Sequence, residues 1–209
     1  MQHEIIRTQP LLRANGSLSE AGYARKLILD YDRSAIRANR LRIKEWDYYL
    51  IANNNFAIAL TIADNSYMGL DSISFIDFRR PWQQTKSAMR LFPMGKTGMP
   101  ATSETGDVES FCKHHFISFK REKDRRFLRF HMDNFYDHKT LGGEIALNDH
   151  KGDSMVIATP FAEDPRAFYY NQKINCMSAK GYVTLGDDSS FSSGRVFWCP
   201  GLGPGRMDL

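Results

Sequence analysis

Two short stretches carry side chains whose types and spacing could do chemistry. The first is Arg42, Lys44, Glu45, Trp46, Asp47 and Tyr48. Period-two alternation sets Arg42, Lys44 and Trp46 on one face of a strand and Glu45 and Asp47 on the other. Carboxylates two residues apart on one face lie ~7 Å from each other, a spacing that serves acid–base work or ligand hydrogen bonding. The same residues would also serve as cross-strand ion pairs on a solvated edge, the commoner use of charge on a strand. Asp64, at the end of the most apolar run, joins Glu45 and Asp47 as a candidate acid or base. The second stretch is Phe168 to Asn175, where alternation groups Tyr169, Asn171, Lys173 and Asn175. A phenol, two amides and an ammonium on one face suit a polar ligand group at the lip of a cavity, or simply a solvated sheet face. No catalytic residue is assigned. The six histidines show no metal-ligand spacing, and His114 and His115 point to opposite strand faces, so neither a metal nor a cofactor is expected. Nucleophile-elbow, Walker and dinucleotide glycine patterns do not occur.

The elements that must position these residues read as strands. Leu41, Ile43, Glu45, Asp47, Tyr49 and Ile51 fall on one face of a strand beginning at Arg40. Asn53-Asn54-Asn55 turns the chain into Phe56, Ile58, Leu60 and Ile62, alternating with Ala57, Ala59, Thr61 and Ala63. Large residues on one face and small ones on the other predict a strand buried on both sides. Further strands are expected near 70–78, 116–120, 127–132, 144–148, 154–159, 168–175 and 180–185, separated by turn residues. Residues 1–24 read as a polar lead-in, and 79–112, rich in Pro and Gly, as a long loop or lid. The segment 33–39 is ambiguous between loop and short helix.

The chain has 209 residues, 42% of them apolar, 25% charged and 12% aromatic. These proportions exclude a disordered chain, and no apolar run reaches the ~18 residues of a spanning helix. Net charge is +4, concentrated in Arg33 to Lys44 and in Lys120 to Arg129. The second cluster reads as a solvated hairpin tip, because aromatics do not interleave with it; no nucleic-acid partner is expected. Three widely spaced cysteines, Cys112, Cys176 and Cys199, point to free thiols and a cytoplasmic location.

Five stretches carry a family resemblance: PLLRANGSLSEAGYAR (10–25), RIKEWDYYLI (42–51), IALTIADNSYMG (58–69), LFPMGKTGMPATSETGDV (91–108) and AFYYNQKINCMSAKGYV (167–183). On these the chain resembles the bacterial domain-of-unknown-function family twenty-eight-zero-four. The resemblance implies no activity. It implies a fold related to calycin or lipocalin-like β proteins, which is analogy at the level of fold. It stops at VFWCPGLGPG (196–205), where the family resemblance leads one to expect a motif like FGVLDWGRG. A one-base frameshift upstream of Trp198 is compatible with that motif. Residues 196–209 are therefore expected to be a non-native tail on a single domain of residues 1–195.

The expected fold is all-β: an antiparallel lipocalin-like barrel or two-sheet sandwich, incomplete at its C-terminal end. The expected function is binding of an apolar or amphipathic small molecule in a β-built cavity, with Arg42, Lys44, Glu45, Trp46, Asp47, Tyr48, Asp64, Tyr169, Asn171 and Lys173 around it. The alternatives are a cofactor-free isomerase, hydratase or cyclase using those carboxylates, and a structural or partner-binding protein.

Overall fold

The computed structural model describes residues 3–149 and 152–186, together with the backbone of strands at 188–189, 193–198 and 201–203. Three short strands open the chain: β1 (Gln9–Pro10), β2 (Gly22–Ala24) and β3 (Leu29–Asp30). Two single 3₁₀ turns follow, Arg33–Ala35 and Arg40–Arg42, capped by the side chains of Asp32 and Asn39. Then come β4 (Lys44–Ala52), β5 (Phe56–Asp64), β6 (Met68–Asp77), β7 (Trp82–Leu91), β8 (Val108–Phe111) and β9 (His115–Glu122). The long strands β10 (Arg125–Tyr136) and β11 (Lys139–Asn148) precede β12 (Met155–Pro160) and β13 (Phe168–Leu185). The backbone ends in β14 (Asp188–Ser189), β15 (Ser193–Trp198) and β16 (Gly201–Gly203).

All but the parallel pair β1 and β3 belong to one antiparallel sheet, ordered β7-β6-β5-β4-β15-β13-β11-β10-β9-β8. The first half of β13 also carries β12, and β12 carries β2. The sheet doubles over so that β4 to β6 face β8 to β11 across a shared core. Tyr49, Ile51, Ile58, Leu60, Ile62 and Ile73 pack there with Ile117, Leu128, Phe130, Leu141 and Leu147. The ends of the sheet, β7 and β8, do not pair with each other, so the layers form an open sandwich rather than a closed barrel. β5 is buried along nearly its whole length, as its large/small alternation predicts.

Three departures from the sequence reading have physical causes. The run expected as a loop at 79–112 contains β7, whose alternate residues are exposed, and β8. β7 is an end strand with a polar outer face, so its pattern carries little apolar signal. The lead-in is built into the molecule: Ile5, Leu11, Leu12 and Leu18 form a second core with Tyr31, Ile43, Val156, Phe168 and Tyr170. The pattern runs straight through the two expected strands 168–175 and 180–185 because they are one strand with a bulge at Cys176 (φ 65°). The extra residue flips inward parity, from Phe168, Tyr170 and Ile174 before it to Met177, Ala179 and Val183 after it. The strand lines both cores, with Phe168 and Tyr170 in the second and Ile174, Met177, Ala179 and Val183 in the first.

Of the tail expected at 196–209, the backbone of 196–198 and 201–203 runs in β15 and β16; its side chains and its other residues, Cys199 included, lie outside the described residues. The other two cysteines are free and exposed.

Candidate functional site

Arg42 closes a 3₁₀ turn instead of extending β4, so it does not share a face with Lys44 and Trp46. From Lys44 onward the alternation holds: Glu45, Asp47, Tyr49 and Ile51 are buried, while Lys44, Trp46, Tyr48 and Leu50 are half-buried on the other face. Trp46 meets Tyr169 there, with ring centroids 6.1 Å apart. Lys173, also half-buried, stands in register with Met155 of β12.

The three carboxylates expected to act together have separate fates. Glu45 accepts a 2.6 Å hydrogen bond from the Tyr31 hydroxyl and pairs with the Arg33 guanidinium. Burial pushes its carboxyl upward, against the pull of Tyr31 and Arg33. Asp64, in register with Glu45, accepts from the backbone N–H groups of Ser66 (2.9 Å), Gly95 (2.8 Å) and Thr97 (3.4 Å) and from the Thr97 hydroxyl (3.0 Å). It therefore fastens the segment after β7 to the sheet. Arg90 continues the network: it donates to Thr97 Oγ1 at 3.2 Å and makes a two-pronged pair with Asp71 at 3.1 Å. Ser110 Oγ at 2.6 Å and His115 Nε2 at 3.1 Å complete the shell of Asp71. Sequence reasoning missed this network, because its members come from five strands and a loop.

Asp47 is different. It is 8% exposed, and among the described residues its carboxylate accepts no hydrogen bond. Burial pushes its carboxyl from 3.8 to about 6, against the pull of Arg126. It faces a cleft whose apolar wall is Leu27, Pro100, Val108 and Phe119, and whose polar wall includes Tyr49, Arg126 and Gln172. Among the described residues the Arg126 guanidinium donates to Asp149 Oδ1 at 2.7 Å, the Ser103 carbonyl at 3.0 Å and the Tyr49 hydroxyl at 3.4 Å. Arg121 also pairs with Asp149. The hairpin expected as a solvated tip thus sends two of its arginines inward. Gln172, 6% exposed, donates to Ser154 Oγ at 3.0 Å, while its Oε1 has no partner among the described residues.

Asn171 lines the same cleft, so the two sequence candidates converge through Asp47 and Asn171 on one side of β4 and through Trp46 and Tyr169 on the other. The free volume is ≈ 540 Å³ counted out to the open mouth. The room in it for water-sized molecules is ≈ 30 Å³, enough for about two waters. The segment 100–106 contributes Pro100, Thr102, Ser103, Thr105 and Gly106 to its lining.

An open, antiparallel two-layer sandwich with one under-bonded acid in a cleft is the class that fold and site define. The chain belongs to the family described as Domain of unknown function (DUF2804), which matches residues 2–197. Its fold is similar to a crystal structure from Nitrosomonas europaea provisionally described as an AttH protein, with a TM-score of 0.57 and 12% identity. That likeness covers 96% of this chain and 59% of the other. No curated protein matches the chain. No described helix is long and apolar enough to cross a membrane.

Proposed function

We propose that the protein binds a small amphipathic molecule in the Asp47 cleft. The ligand's polar end would give hydrogen bonds to Asp47 and Gln172, and its apolar body would lie along Val108, Phe119 and Leu27. The observation that carries this reading is the Asp47 carboxylate, buried beside a cleft and left without a hydrogen bond. Its oxygens line the cleft and have no protein donor among the described residues, so a donor on a ligand could bond them directly. A hydroxyl or amine is the matching group. The free room as it stands holds about two waters, so this reading requires the lining segment 100–106 to move aside when the ligand enters.

Native mass spectrometry of the protein incubated with a total lipid extract tests the reading. A retained small molecule is expected for the wild type, with retention falling about tenfold in Asp47→Asn if one charge-assisted hydrogen bond is lost. Equal retention by Asp47→Asn and by a Gln172→Leu variant would overturn it.

A second reading, acid–base catalysis on such a ligand, is favoured by one observation: a carboxyl titrating at about 6 is poised to give and take a proton near neutrality. Its mark would be a ligand returned chemically altered, with a rate inflection near that pH that disappears in Asp47→Asn.

A further inference from the structure

The end of the sheet where β5 turns into β6 and β7 leaves the sheet carries an apolar tip. Leu91 is 80% exposed, Phe92 62% and Met94 36%, and Tyr67 in the adjoining turn is exposed too. Exposed apolar residues scattered singly mean little, but these belong to one built feature. Phe92 N donates to the Tyr67 carbonyl at 3.0 Å, and Met94 N to the Ser66 carbonyl at 3.1 Å. Gly95 and Thr97 are tied to Asp64. Within this frame Phe92 (φ 49°), Met94 (φ 53°) and Ser66 (φ 63°) are all left-handed. Large side chains rarely adopt that conformation, and the strain persists only where surrounding bonds impose it. The result is that Phe92 and Met94 are held outward, in water.

The setting is basic. Met94 shares a hollow with Arg37, Arg40 and the Glu45-paired Arg33, in which Asp32 is the acid of the lining, and Lys96 is exposed two residues further on. Arg37 and Arg40 are themselves exposed. Apolar side chains presented from a turn and a loop, with cations beside them, match the interface of an anionic bilayer: the rings and thioether enter the acyl boundary and the cations meet the phosphates. A flat sheet face or a groove would instead fit another protein.

The geometry points to this tip as the place where the protein docks on an anionic membrane surface. The assignment does not depend on the cleft, and synthetic vesicles test it alone. In flotation, the protein should bind vesicles of phosphatidylglycerol and phosphatidylcholine in equal parts, bind phosphatidylcholine alone far less, and lose binding as salt rises. Phe92→Asn is the decisive variant, since Asn tolerates the left-handed backbone. It should weaken binding about tenfold, by the burial a Phe ring forfeits, while leaving the melting temperature unchanged or higher. Arg37→Gln together with Arg40→Gln should cost about fivefold per arginine, on anionic vesicles only. No flotation of the wild type overturns the proposal. So does a lower melting temperature in Phe92→Asn, which would make the ring structural, or concentration-dependent self-association through Phe92 without vesicle binding, which would make the tip a contact between copies.

Discussion

Asp71 and Asp47 are both buried acids on neighbouring parts of one sheet, and they are treated in opposite ways. Asp71 accepts from four donors: two nitrogens of Arg90, Ser110 and His115. Asp47 accepts from none of the described residues and is partly neutralised by its surroundings. A buried carboxylate with every valence filled is a fixed part of the architecture. One with its valences open stores a cost that a ligand or a proton can relieve.

The comparison breaks most easily at Asp71. Replacing it with Ala strands the Arg90 guanidinium and should destabilise the protein by about 3–5 kcal/mol in denaturant unfolding. A loss below about 1 kcal/mol would remove the distinction between the two acids.

Asp47→Asn should act with the other sign. The folded carboxyl titrates higher than the unfolded one, so the unfolded chain releases its proton first. Stability contributed by this group is therefore highest below pH 3.8, falls as pH rises to about 6, and stays low above it. The rise from 3.8 to about 6 corresponds to about 3 kcal/mol as an upper figure. The variant should be more stable than the wild type at pH 7, and its unfolding free energy should lose that slope. A stability difference between Asp47→Asn and the wild type that does not grow from pH 3.8 to about 6 would show that Asp47 is paired in solution.

The smallest effect is expected at Trp46. Its contact with Tyr169 lies on the face away from Asp47, so Trp46→Ala should cost about 1 kcal/mol of stability and leave ligand retention unchanged. Loss of retention would move the site to that face.

Much of this molecule was legible along the chain. The alternation of Glu45, Asp47, Tyr49 and Ile51 marked the inward face of β4, and Phe56 to Ile62 marked a strand buried on both faces. Leu11 and Leu18 were hidden in the lead-in, because isolated leucines among turn residues have no period to reveal them. β7 was hidden because an end strand with a solvated outer face keeps few apolar residues. Of the candidate site, Asp47 and Asn171 line the cleft, Trp46 and Tyr169 form a ring contact outside it, and Glu45 and Asp64 are committed to fixed partners. Arg126 and Gln172 were not foreseen. Their roles depend on Asp149, Ser103 and Ser154, which no local spacing connects to them.

The sequence by itself determined an all-β chain, the inward parity of its central strands and its family, because side-chain alternation and local motifs are properties of neighbours in the chain. Only the tertiary structure decided which acids are saturated and which is open. Hydrogen bonds such as His115 to Asp71 join residues 44 positions apart, and whether a carboxylate finds donors depends on which strands the folded sheet brings beside it.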